Sequence, residues 1–205
     1  MFLLSIALIW CLAAVTPGPN FFVVTRCALA GSRRAGLAAV LGTVCGTLVW
    51  GLAGWLGINA LFAAAPVAYL TLKVVGGMYL TWLGFRLLVS ALSRREVEMP
   101  APPRSALTPA AAWRLGLVTN LANPKSVIFV ASLFAATLPP DAPAYLGAAA
   151  VALMVTISGF WYLLVAFVFS RPQIVRGYRR IGRWIDAAVG VVFVLFGARL
   201  TLSSR

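Results

Sequence analysis

The chain has 205 residues, 62% of them hydrophobic and only 10% charged, against about 25% charged in an average soluble protein. With a mean hydropathy of +0.96, that composition excludes a water-soluble domain. The net charge of +13 would suit nucleic acid, but the basic residues fall in the gaps between apolar runs, as loops on the cytoplasmic side of a membrane protein do. Nucleic acid is therefore excluded as a partner, and the lipid bilayer takes its place.

Histidine is absent, and the three cysteines, Cys11, Cys27 and Cys45, form no CxxC pair. Neither a disulfide framework, a metal site nor a cofactor is expected. The length accommodates about six spans of roughly 20 residues with short loops. The opening Met1-Phe2-Leu3-Leu4 lacks the basic stretch of a secretory signal, and the apolar run continues past Pro19. It is expected to be a retained span.

The first span runs from about Leu3 to Val24 and is interrupted at Thr16-Pro17-Gly18-Pro19-Asn20. Neither proline can donate a backbone hydrogen bond, and Gly18 loosens the chain between them. In lipid, the freed carbonyls need protein or water as partners. Thr16-Pro17 reads as an N-cap followed by proline at the first helical position. Arg26, Arg33 and Arg34 make a basic loop. The second span covers about Gly36 to Ile58, with Gly42 and Gly46 spaced for close helix packing. A turn at residues 59–66 leads to the third span, about Val67 to Val89, which carries Lys73. Residues 93–112 form a proline-rich linker, closing with Thr108-Pro109 ahead of the next helix.

The fourth span, about Leu115 to Leu138, is interrupted at Asn123-Pro124-Lys125: an amide cap, a proline and a cation. After an uncharged turn, the fifth span covers about Ala144 to Phe169. Five arginines occupy residues 171–183, and the sixth span runs from about Trp184 to Leu202. Twelve arginines lie in the gaps after spans one, three and five, and none in the gaps after spans two and four. Those odd gaps are cytoplasmic by the positive-inside rule, so both termini lie on the outer side.

The pattern Lys73…Gly77…Gly84-Phe85-Arg86-Leu87 is echoed at identical spacing by Asp186…Gly190…Gly197-Ala198-Arg199-Leu200. With proline breaks in spans one and four, the echo predicts two inverted three-helix repeats, 1–92 and 113–205, joined by the cytoplasmic linker 93–112. The fold class is an all-α integral membrane protein of six transmembrane helices, with helices 1 and 4 broken at Pro17–Pro19 and at Pro124. Paired interruptions of this kind point to a transporter's central site, where half-helix N-termini attract an anion.

The candidate substrate-binding residues are Thr16, Pro17, Gly18 and Asn20 at the first break, and Asn120, Asn123, Pro124 and Lys125 at the second. Lys73 joins them. A buried cation such as Lys125 costs several kcal/mol, roughly 2.5–3.5 on insertion scales, and a structural role beside freed carbonyls is the rival explanation. Lys73 lies closer to the outer interface, where it could instead snorkel. Asp186 is the only acid inside a span. Its mirrored depth argues against pairing with Lys73 and leaves Arg183, one turn earlier, as the expected partner; coupling to protons is the functional alternative. A buried amide left unpaired is costly, which favours Asn20 and Asn123 as ligands.

Over essentially its whole length the chain resembles the LysE/RhtB family of amino-acid exporters. The resemblance rests on Thr16-Pro-Gly-Pro-Asn20, on Lys73-Val-Val-Gly-Gly-Met-Tyr-Leu80…Gly84, and on Gly116…Asn120-Leu-Ala-Asn-Pro-Lys125. The homoserine/threonine-efflux branch is the nearer one. Ser126 stands where alanine is common in the family. The resemblance implies export of amino acids or close metabolites across the bacterial inner membrane by proton antiport, with no enzymatic activity. It leaves a homo-oligomer open. The competing readings are an intramembrane enzyme, a metal or other small-solute exporter, and a structural membrane protein. The first lacks a nucleophile constellation, since neighbours such as Lys125 and Ser126 point apart on a helix. The second lacks histidine and acids. The third has no use for two buried breaks.

Overall fold

The computed structural model describes residues 2–29, 33–64, 66–93, 107–139, 142–168 and 172–202; within these, the side chains of 59, 61–64, 66, 68, 69, 72, 73, 172, 173 and 175–180 are not described. Every described element is a helix: α1 (Phe2–Val15), α2 (Pro19–Leu29), α3 (Arg33–Ala64), α4 (Pro66–Leu92), α5 (Pro109–Leu121), α6 (Pro124–Thr137), α7 (Ala144–Val168) and α8 (Pro172–Leu202). Four are long and apolar enough to cross a membrane alone. The pairs α1–α2 and α5–α6 qualify together, each bent by 55° at its break, which gives up to six spans.

Proline opens five of the eight helices: α2, α4, α5, α6 and α8. The position suits it, because the missing N–H would have had no partner there and the fixed φ is already helical. Thr108 caps α5 as its sequence suggests, its hydroxyl accepting from the Ala111 N–H at 3.3 Å. Linker residues 94–106 lie outside the described residues, and residues 109–112 are already the first turn of α5.

Two helices outrun their expected ends. α3 takes in Arg33 and Arg34 at its start and continues through residues 59–64, where a turn was expected. α8 begins at Pro172, twelve residues before the anticipated Trp184. Apolar periodicity marks where a helix is buried in lipid, not where its hydrogen bonding stops. Arginine stems lie along the helix while their heads reach water, so a helix extends beyond the apolar zone without penalty.

Small residues set the packing. α3 and α5 approach so closely that a Cβ on Gly42 would strike the Trp113 carbonyl, and one on Gly116 the Ala39 carbonyl. α4 and α8 cross antiparallel: a Cβ on Gly84 would lie 2.6 Å from the Gly190 carbonyl, and one on Gly197 2.5 Å from that of Gly77. The glycines of the sequence echo thus face one another across a single interface. Along that interface the positions of Lys73 and Asp186 are about 20 Å apart at ~1.5 Å of rise per residue. Trp10, Phe129, Leu133, Met154 and Phe193 fill the main apolar core.

Candidate functional site

The first break differs from its expected chemistry. Thr16 does not cap the helix that follows. Its hydroxyl donates to the Leu12 carbonyl at 2.8 Å, and its N–H reaches the same oxygen at 3.2 Å. Thr16 therefore closes α1, and α2 starts at Pro19 behind Gly18, whose carbonyl accepts from Phe22 N–H at 2.9 Å. The reason is local. A threonine hydroxyl reaches back four residues to a helical carbonyl as readily as forward to an N–H, and two prolines in quick succession push the restart to the second. The first turn of α2 consequently has a glycine, with no capping side chain, in front of it.

The second break follows its sequence closely. Asn123 is buried, and its Oδ1 accepts from the Lys125 N–H at 3.0 Å, with Pro124 at the first helical position of α6. Asn120, in the last turn of α5, is 2% exposed. Its Nδ2 donates to the Thr43 carbonyl at 3.1 Å and to Thr47 Oγ1 at 3.3 Å, both on α3. Gly46 makes room for it: a Cβ there would lie 2.7 Å from Asn120 Cβ. The Trp50 indole N–H adds a 3.4 Å bond to the Asn120 carbonyl.

Both breaks open onto one cavity. It encloses about 530 Å³ of empty space, mouth included, and its walls bring together Thr16, Gly18, Asn20, Asn120, Asn123 and Lys125. Of the expected site residues, Pro17 and Pro124 shape the breaks but do not line the cavity. The Lys73 side chain lies outside the described residues. Aromatic side chains complete the walls, Trp10, Trp50, Phe21, Phe129 and Tyr162 among them. Trp10 ties α1 to α7 through its indole N–H, which donates to Ser158 Oγ at 2.9 Å and to the Met154 carbonyl at 3.0 Å. Its ring lies 5.8 Å from that of Phe129. Asn20 and Tyr162 share the cavity wall.

The cavity is asymmetric in charge. Among the described residues Lys125 is its cation, and no acid lines it. Asp186 is buried at 6% exposed, outside the cavity wall, with its Oδ1 unpartnered among the described residues. The expected pairing with Arg183 is not made; the Arg183 guanidinium lies over the Trp184 ring instead, 5.1 Å from its centroid. One helical turn separates the two residues, but Arg183 faces out with the exposed Trp184 while Asp186 faces in.

Sequence reading missed Trp10, Thr43, Thr47, Trp50, Ser158 and Tyr162. Trp10 lies ahead of the first break and the others in unbroken helices, where neither a proline nor a charge distinguishes a functional position from ordinary packing. Gly46 was legible as a close-packing glycine, but not as the seat of Asn120.

The LysE type translocator family model matches residues 11–204. The threonine efflux protein of Escherichia coli K12 is 34% identical over 203 residues, 99% of this chain and 98% of that protein. That of Salmonella typhimurium LT2 is 32% identical over the same extent. A leucine efflux protein of Klebsiella pneumoniae is 29% identical over 195 residues, 93% of this chain and 90% of that one. No solved structure matches the chain significantly. A translocator family leaves no place for the intramembrane-enzyme reading. With two bent helix pairs meeting at one cavity and a match along almost its full length, the chain belongs to the LysE type translocator family.

Proposed function

We propose that this protein is a secondary exporter of amino acids, taking its substrate at the cavity between the two breaks. The observation that carries the reading is the convergence of Gly18–Asn20 and Asn123–Lys125 on one chamber. The substrate carboxylate sits against the first turn of α2 and the Lys125 ammonium. Helix N-termini attract anions through their free N–H groups and dipole, and a partly buried lysine with no salt bridge among the described residues gains most from an anion that arrives with the substrate.

Thr16, Pro17 and Pro124 hold the breaks in shape, Asn20, Asn120 and Asn123 supply polar contacts, and Lys73 is the cation nearer the outer end. The two halves, 1–92 and 113–205 with the linker between, are inverted repeats that rock about the site to expose it alternately. Support comes from the matching 55° bends and the antiparallel glycine interface of α4 and α8. Both termini lie outside the inner membrane, in keeping with the arginine-rich odd gaps.

Export runs by proton antiport, with Asp186, a buried acid inside a span, as the coupling acid. The efflux proteins it matches are named for threonine and for leucine, so threonine is the first substrate to test. In proteoliposomes, labelled L-threonine should exchange against internal threonine, and Lys125→Ala should abolish the exchange. Exchange that survives both Lys125→Ala and Asn123→Ala would place the site elsewhere. Asp186→Asn should keep the exchange but lose uptake driven by a pH gradient; gradient-driven uptake at the wild-type rate would remove Asp186 from coupling.

A further inference from the structure

We infer that the side-chain carbonyls of Asn20 and Asn120 form the receptor for the substrate's α-ammonium, so that this site selects a zwitterion without using any acid. The inference rests on the exporter reading above and names the half of the substrate that Lys125 does not hold.

Both residues line the same cavity. In both, the acceptor side of the amide is unengaged among the described residues. Asn120 spends its Nδ2 on Thr43 and Thr47 of α3, which fixes which way the amide is turned. Asn20 Oδ1 and Asn120 Oδ1 are both buried and receive no hydrogen bond among the described residues. Buried carbonyls are nearly always paired, so two orphans on one cavity mark a missing donor.

The donor's chemistry follows from what the cavity already holds. A carboxylate only accepts, so it cannot satisfy either oxygen. A protonated primary amine offers three donors and no acceptor, the complement of two carbonyls. Lys125 repels that ammonium and attracts the carboxylate, so the zwitterion binds in one orientation. With no acid among the described residues of the wall, a free amine lacking a carboxylate would add an unbalanced positive charge beside Lys125. The site therefore favours α-amino acids over both amines and hydroxy acids.

The test is competition against labelled L-threonine counterflow in proteoliposomes. The competitors are L-threonine, 2,3-dihydroxybutanoate (its ammonium replaced by hydroxyl) and L-threonine methyl ester (its carboxylate masked). In the wild type, the hydroxy acid should compete roughly tenfold or more weakly than threonine, because polar groups built for a lost donor are left unpaired. The ester should be weak as well. In Asn20→Ala and Asn120→Ala the ratio between threonine and the hydroxy acid should shrink toward one, a change that a general loss of folding or turnover would not produce. A hydroxy acid that matches threonine in the wild type, or a ratio unchanged in both variants, overturns the assignment while leaving an amino-acid exporter standing. Absence of counterflow with any amino acid overturns the exporter reading and this one with it.

Discussion

At the residue scale, the glycines divide sharply by what a methyl group would meet. A Cβ at Gly42 runs into the Trp113 backbone carbonyl, which has no freedom to move aside. Gly42→Ala should lower stability by about 1–3 kcal/mol, the usual cost of overpacking, seen as a drop in the melting temperature of detergent-purified protein. Gly57 has nothing within 4 Å of such a Cβ. Gly57→Ala should hold or raise the melting temperature, since it removes unfolded-chain freedom worth about 0.4–1 kcal/mol. Gly46→Ala belongs to a third kind: its methyl presses on the Asn120 side chain, so threonine exchange should fall further than stability does. Trp10→Phe keeps the ring but strips the N–H shared by Ser158 and Met154. A loss of about 1 kcal/mol is expected for that bond, read by the same melting assay.

At the element scale, the two breaks are built differently although they bend alike. The α5–α6 break carries its own cap in Asn123, whereas α2 restarts behind Gly18, with Thr16 turned back onto α1. The first-turn amides of α2 thus have no side chain in front of them, while one of those in α6 is already taken. Thr108 provides the control, capping α5 away from the cavity. Thr108→Ala should cost about 0.5–2 kcal/mol of stability and leave threonine exchange per folded molecule unchanged. If exchange falls in step with that at Asn123→Ala, the effect of Asn123 is capping alone and not contact with substrate.

At the scale of the whole molecule, the antiparallel α4–α8 interface would join the last helix of each proposed half. Gly84 and Gly190 meet there, as do Gly77 and Gly197. Gly84→Leu should therefore force α4 away from α8 and abolish exchange, and purification should show lost stability as well. The orientation has an independent check. An impermeant thiol reagent applied to intact cells should label a cysteine placed at either terminus in a background without Cys11, Cys27 and Cys45, and should not label one placed at residue 94 in the linker. Labelling in the reverse pattern would invert the assigned topology.

What the sequence determined by itself was everything that follows from one-dimensional pattern: the membrane class, the positions of both breaks, and the α4–α8 glycine spacing. Each of these is local, since proline removes a hydrogen bond wherever it stands and glycine exposes backbone wherever it lies on a helix face. Asn123 capping Lys125 was legible for the same reason, because donor and acceptor lie two residues apart. Only the tertiary structure decided which way Thr16 bonds, that Arg183 turns from Asp186 to the Trp184 ring, and that Asn120 spends its nitrogen on α3, leaving its oxygen unmatched. Those outcomes depend on which of several equally suitable partners the packing brings within 3 Å or so of a polar atom. Residues as distant in the chain as Thr43 and Asn120 become neighbours only when the helices have closed around them.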